Sequence, residues 1–172
     1  MKKETGAGMI EILIALVICA IGVLGLMALQ TNSGKSIQMT RFHQQANMAL
    51  SELSAVIVAN SVAAKVNQFD VNNIASGTDI TAAKNCSGVN VCTLAERASY
   101  ELAVWFSSLK TKITSPRLRI VTSPENNGAK ISVQLVWDAN LNQWSEASLP
   151  VGDVCVAKDS NYPCIEYSLW VN

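Results

Sequence analysis

The chain has 172 residues, of which 49% are hydrophobic and 15% are charged, and its basic and acidic side chains balance at 13 each. This length suits one modest domain with an appendage rather than two full domains. The low charge and high apolar fraction argue against a disordered chain. The lack of a basic excess argues against a general nucleic-acid binder, which must neutralise phosphates.

An uncharged apolar run of 18 residues extends from Ile12 to Leu29. As an α-helix it would be roughly 27 Å long, close to the thickness of the hydrocarbon core of a bilayer. Lys2 and Lys3 precede the run, and positive charge stays on the cytoplasmic side of a membrane. The sequence therefore predicts one membrane-crossing helix, with the rest of the chain on the far side of the inner membrane.

Two ordinary kinds of segment share parts of this pattern. A secretory signal peptide also has a basic start, but its apolar region is only about 7–15 residues long and ends in a small-residue cleavage site. The polar residues after Leu29 do not form such a site. A plain single-pass anchor has the right length but leaves Glu11 unexplained, because an ionisable side chain inside an apolar segment is costly and usually has a partner.

The segment Gly6–Glu11 reads GAGMIE and stands directly before the apolar run. A short charged leader that ends in glycine, with a glutamate five residues later, resembles the class III signal of type IV prepilins. The resemblance implies that a prepilin peptidase cleaves between Gly6 and Ala7, that the new N-terminus at Ala7 is methylated, and that Glu11 becomes the fifth mature residue. Ala7 departs from the phenylalanine that is usual at the first mature position.

Glu11 has a physical role if the chain assembles in this way. Cleavage creates an α-amino group at Ala7, and the Glu11 carboxylate of one subunit can meet that amine of a neighbour within a bundle of apolar helices. Opposite charges attract strongly where the dielectric is low, and each charge alone would be costly there. We therefore expect Glu11 to penalise wrong register between subunits.

Helical periodicity continues beyond Leu29, with apolar residues at steps of three, four and seven. They are Ile37, Phe42, Ala46, Ala49, Leu50, Leu53, Val56, Ile57 and Ala63. We predict one helix from about residue 8 to about residue 65. After a leader at 1–6, residues 7–30 form the transmembrane or assembly half, residues 31–66 form an amphipathic half, and residues 67–172 form a globular head.

A second helix is predicted within the head. Residues 67–92 are rich in Asn, Asp, Ser, Gly and Thr and are typical of a loop. Thr93 and Glu96 then have the spacing of a capping box, and the helix should end before Pro116. The apolar residues at helical spacing are Leu94, Ala98, Leu102, Trp105, Leu109 and Ile113.

Beyond Pro116 the apolar period changes to two, which is typical of strands. Strands are predicted at 117–121, 130–137 and 164–171, with turns at 123–128 and 140–145. Three or four antiparallel strands with one apolar face need a cover, and the long helix supplies it. The fold class is therefore α+β, and the resemblance implies the type IV pilin fold, with one extra helix in the αβ-loop.

Five cysteines are present. Cys19 lies in the apolar run, where we expect it to behave as a small buried hydrophobe. The other four lie in the predicted exported head, and an even number in an oxidising compartment indicates two disulfides. Of the three pairings, the most local one, Cys86–Cys92 with Cys155–Cys164, is preferred. Neither spacing resembles a zinc knuckle.

No combination of side chains predicts an enzyme, so we expect no catalytic residue, cofactor or metal. His43 is the only histidine. Asp138, Asn140 and Asn142 alternate as ligands do in some calcium loops, but the expected glycine and distal glutamate are missing, and a turn is preferred. One basic cluster could touch DNA, although a solvated helix end is the preferred interpretation. It comprises Lys110, Lys112, Arg117 and Arg119.

The chain as a whole resembles the PilV family of minor pilins, or pilus modification proteins. The matching positions are Ile21–Leu26, Cys86, Cys92, Ala95, Tyr100, Glu101, Leu102, Trp105, Leu109, Val136 and Trp137. Tyr100 departs from the aspartate that is common in the family. The resemblance implies a tip complex that primes pilus assembly and supports adhesion or twitching motility. Its partners would be other minor pilins, the major pilin, the prepilin peptidase and often a large tip adhesin.

This resemblance places the chain in the bacterial inner membrane with a periplasmic head, and later at the pilus tip on the cell surface. The nearest alternative is a minor pseudopilin of a type II secretion system, which shares the leader and the long helix. An alternative of another class is a membrane-tethered periplasmic enzyme or a domain that binds DNA or another ligand. That alternative predicts an uncleaved leader.

Overall fold

The computed structural model of the chain describes residues 7–72, 78–88, 90–138, 155 and 163–172. The chain is an α+β protein, as predicted, with helices before a small antiparallel sheet. The elements in order are α1 (Ala7–Ala59), α2 (Ser61–Lys65), α3 (Leu94–Lys112), β1 (Arg117–Glu125), β2 (Gly128–Val136) and β3 (Cys164–Val171). The predicted turn at 140–145 lies outside the described residues.

The chain divides into two compact units, residues 1–41 and residues 42–172. All described residues of the first unit belong to α1, and those from Gly8 to Gln30 are exposed. These 23 residues have a mean hydropathy of 3.0 and form a helix long and apolar enough to cross a membrane. Membrane anchors and signal sequences both have this property.

The long helix is interrupted at Asn60, so the prediction of one helix to about residue 65 was wrong at this point. The Asn60 N–H donates to the carbonyls of both Val56 and Ile57 at 3.1 Å. Its side-chain Nδ2 also donates to the Val56 oxygen at 2.9 Å. Asparagine side chains that bond nearby backbone groups compete with helical hydrogen bonding. The chain then resumes as the short helix α2.

The capping box predicted at the start of α3 is present. The Thr93 N–H donates to Glu96 Oε2 at 2.8 Å, and the Glu96 N–H donates to Thr93 Oγ1 at 3.3 Å. The hydrogen bonds from Thr93, first the one from its backbone, hold the pKa of Glu96 below its ordinary value, and the charge of Lys84 acts in the same direction. The helix ends at Lys112, before Pro116, as predicted.

Three strands form one antiparallel sheet in the order β1-β2-β3. Strand β1 continues to Glu125, which pairs with Gly128, so the turn is shorter than the predicted 123–128. Pro124 is accommodated within β1 because β1 is an edge strand, where a missing N–H can face away from the ladder.

One hydrophobic core lies in the second unit, and its members come from all six elements and from the segments that join them. The predicted inward face of the sheet is confirmed in β1, in β2 and at the end of β3, where Leu169 and Val171 are buried, but Tyr167 of the same face is 42% exposed. The buried sheet residues of this core are Leu118, Ile120, Ile131, Val133, Leu135, Leu169 and Val171, and the helical ones include Ala46, Leu50, Leu53, Ile57, Leu102, Trp105, Phe106 and Leu109.

Candidate functional site

The candidate assembly segment is residues 7–30. Ala7 and Glu11 lie in the first two turns of α1, and the Glu11 side chain is exposed. Gly6 lies outside the described residues. The large apolar side chains of this segment are exposed by 52% (Val23) to 74% (Met9). A continuous apolar surface of this length needs lipid or other apolar helices as its surroundings.

The head contains two disulfides. Cys86 and Cys92 are bonded, with their Cα atoms 5.9 Å apart, and Cys155 and Cys164 are bonded, with their Cα atoms 5.5 Å apart. This is the most local of the three pairings. Cys19 is a free thiol and, like the residues on either side of it, is exposed in the single chain. Its expected burial depends on surrounding lipid or helices and stays a prediction.

We expect the full-length chain, unfolded in denaturant without reductant, to react with iodoacetamide at one thiol only, that of Cys19. After reduction all five cysteines should be labelled. Intact mass measures both numbers, and the variant Cys19→Ser is the control, since it should take up no label before reduction. Two or more labels on the unreduced chain would show that a head disulfide is missing.

The structure does not form a free cationic surface from the predicted cluster of Lys110, Lys112, Arg117 and Arg119. Lys110 pairs with Asp79 at 2.5 Å, and Lys112 pairs with Glu52 at 3.6 Å. Arg117 is only 5% exposed. Because two of the cations face carboxylates and a third is buried, the cluster has little charge left for phosphate oxygens.

His43 has a structural role. Its ring lies edge-on against Trp137, with the ring centroids 4.9 Å apart, and Trp137 is fully buried. Asp138 is buried and its backbone N–H donates to the Thr114 carbonyl at 3.4 Å. Its two companions in the calcium-like pattern, Asn140 and Asn142, lie outside the described residues. No group of three metal-binding side chains occurs within the part of the chain that the structure describes.

Trp105 joins α3 to the second half of α1 through a contact that the sequence did not reveal. Its Nε1 donates to the Ala49 carbonyl at 2.8 Å, and the side chain is 6% exposed. Helical spacing predicted that Trp105 faces the core. It gave no signal for the hydrogen bond, because the acceptor is a backbone atom 56 residues away.

An open groove with a volume of about 530 Å³ is lined by residues of α1 and α3 and by Asn60. Its two charged residues, Arg97 and Glu101, form an ion pair at 3.3 Å. The remaining lining residues are Ala55, Val56, Ala59 and Asn60. The charges that line the groove are therefore paired with each other.

Comparison with protein-family models, with curated proteins and with solved structures gives no match to this chain. The chain's own residues are therefore the basis for a function. The most informative of them are the segment Gly6–Glu11 and the exposed apolar helix.

Proposed function

We propose that this chain is a minor pilin of a type IV pilus, of the PilV kind. It is inserted in the bacterial inner membrane, cleaved between Gly6 and Ala7, and assembled at the filament tip. The observation that carries the proposal is the segment Gly6–Glu11, which overlaps the start of an exposed apolar helix of 23 residues, Gly8–Gln30. An α+β head with two disulfides, suited to an oxidising compartment, supports it.

The tip role has a physical reason. To start a helical filament, several subunits must be ordered before most of the contacts between them exist. Starting growth is therefore the costly step, as it is for a single α-helix. A small complex of minor pilins that is already assembled supplies those first contacts. The chain would act there with other minor pilins and a large adhesin, and the major pilin would then add to the complex.

Cleavage of the leader tests the proposal directly. In cells that contain a prepilin peptidase, we expect the mature chain to begin at N-methylated Ala7 and to lack Met1–Gly6, as measured by intact mass. The variant Gly6→Ala should stay uncleaved, because the leader resemblance puts Gly6 at the cut. The matched variant Gly8→Ala should be processed normally. An intact N-terminus, or a cut after the apolar helix, would contradict the proposal.

A second readout separates a pilus from a secretion system, because a pseudopilin would be processed in the same way. Deletion of the chain should reduce surface pili and twitching while secretion of folded proteins continues, and the wild-type chain should restore both. Loss of secretion with normal pili would assign the chain to a type II secretion system instead.

A further inference from the structure

The two edges of the sheet differ in how their main-chain groups are satisfied. At the outer edge of β1, Ile120 exchanges two hydrogen bonds with Val71, each 2.9 Å long. Two residues further on, the Thr122 N–H donates to Asp70 Oδ1 at 2.9 Å. Pro124 follows at the next outward position and has no N–H. The donors at three successive outward positions of β1 are therefore used or missing.

The hydrogen bonds of Ile120 also show which residues of β3 have main-chain groups that point outward, away from β2. In an antiparallel strand the N–H and C=O of one residue point to the same side, and successive residues alternate. The main-chain groups of Ile120 point away from β2, so those of its cross-strand partner Val133 point toward β3. Tyr167 lies opposite Val133, and its main-chain groups point back toward β2. The residues of β3 whose main-chain groups point outward are therefore Cys164, Glu166, Ser168 and Trp170.

This outer edge of β3 is open along the part of the chain that the structure describes. Strand β3 is the last strand of the sheet, and the side chains of Glu166, Ser168 and Trp170 are exposed, Trp170 by 61%. Its sequence, CIEYSLWV, contains one charge, no lysine and no proline. Within the described residues it thus has neither a proline nor a covering segment to blunt the free edge, whereas β1 has Pro124 and is covered by Asp70 and Val71.

We propose that the open edge of β3 receives an extended strand from a different polypeptide chain, a neighbouring subunit of the assembly. Only another strand presents donors and acceptors that match this alternation. The proposal rests on the assembly role proposed above. Glu166 is the only charge on β3, and it favours a basic residue at the facing position of the partner strand.

The size of the edge argues against a second copy of this chain as the occupant. Strand β3 has eight residues, whereas a stable interface between two folded proteins uses about 20–30 residues a side. Two copies joined through this edge alone would therefore dissociate in solution. A neighbour held beside the chain in an assembly has a high effective concentration, which makes a short ladder sufficient.

The variant Ser168→Pro tests the proposal. It removes an outward N–H from β3 while every main-chain hydrogen bond between β2 and β3 remains, which is the arrangement that Pro124 already has on β1. The contact between the Ser168 and Ser132 hydroxyls, 3.4 Å apart, is also lost, as it is in the alanine variant at the same position. We expect Ser168→Pro to lower the share of the full-length chain found in sheared pili by about tenfold, the effect of losing roughly one hydrogen bond and its close approach. The matched control Ser168→Ala should assemble like the wild type. Normal assembly of Ser168→Pro would overturn the proposal.

Hydrogen exchange on the wild-type chain gives a second measurement that does not depend on the folding of a variant. The amides of Glu166, Ser168 and Trp170 should exchange rapidly in the chain purified alone in detergent and slowly in the intact assembly. Equal exchange in both states would overturn the proposal. A dimer of the purified chain that Ser168→Pro abolishes would also overturn it, since the occupant would then be a second copy.

Measuring cleavage of the leader tells failure of this proposal apart from failure of the pilin role on which it rests. Ser168 takes no part in cleavage at Gly6, so an unprocessed chain would reject the pilin role itself. A processed chain whose Ser168→Pro variant assembles normally would reject only the pairing at β3.

Discussion

Replacing Trp105 with alanine is expected to lower the free energy of unfolding of the head by about 3–5 kcal/mol, the range for removal of a buried tryptophan side chain. The side chain is 6% exposed and its Nε1 donates to the Ala49 carbonyl at 2.8 Å. The change therefore leaves a cavity between α1 and α3 and removes the hydrogen bond that joins them. Denaturant unfolding of the full-length chain in detergent, followed by circular dichroism, measures the loss.

Two variants serve as controls for this prediction. Trp170→Ala makes the same chemical change at a side chain that is 61% exposed, and its effect should stay within about 0.5 kcal/mol. Trp105→Phe keeps most of the packed ring and loses the hydrogen bond, so a loss of about 1–2 kcal/mol is expected. Similar stability for Trp105→Ala and Trp170→Ala would show that the contact between α1 and α3 does not hold the head together.

The second large effect concerns Glu11. The variant Glu11→Ala should insert into the membrane and be processed, because the change makes the helix more apolar and lies outside the predicted cleavage bond. Its incorporation into pili should fall on the order of a hundredfold, as expected when one partner of an ion pair in low-dielectric surroundings is removed. The N-terminal amine of the neighbouring subunit would then be left without its carboxylate.

The ratio of the chain in sheared pili to the chain in membranes measures this effect. Glu52→Ala is the matched control, since Glu52 is also a glutamate of α1 but lies in the second unit and pairs with Lys112 at 3.6 Å. It should assemble normally. Wild-type incorporation of Glu11→Ala would remove the assigned role of Glu11.

Those parts of the fold whose signals are local in sequence could be predicted. The capping box at Thr93 and Glu96 depends on residues three apart, and the alternation of Ile131, Val133 and Leu135 directly reports which face of β2 is buried. The residue at which β1 ends was harder to predict. Pro124 and the asparagines that follow it are typical turn formers, and only the edge position of β1 explains why the strand continues to Glu125.

The features that could not be predicted depend on partners far away in sequence. Two examples are the bridge between Val71 and Ile120 and the hydrogen bond from Trp105 to Ala49. Each joins two distant segments, and no repeating pattern in the sequence links one segment to the other. The candidate assembly site is a different case. Ala7 and Glu11 were identified by a leader that resembles those of prepilins, and the structure adds that they lie on a helix whose apolar surface is exposed.

The hydrogen bonds from Asp70 and Val71 to the outer edge of β1 have a consequence for solubility. A sheet with two open edges can join the next copy head to tail, and such contacts continue without limit into fibres. Here the second edge is occupied within the same chain, so any extension of the sheet stops after one added strand. A sheet with a single open edge is thereby protected from unlimited fibre growth.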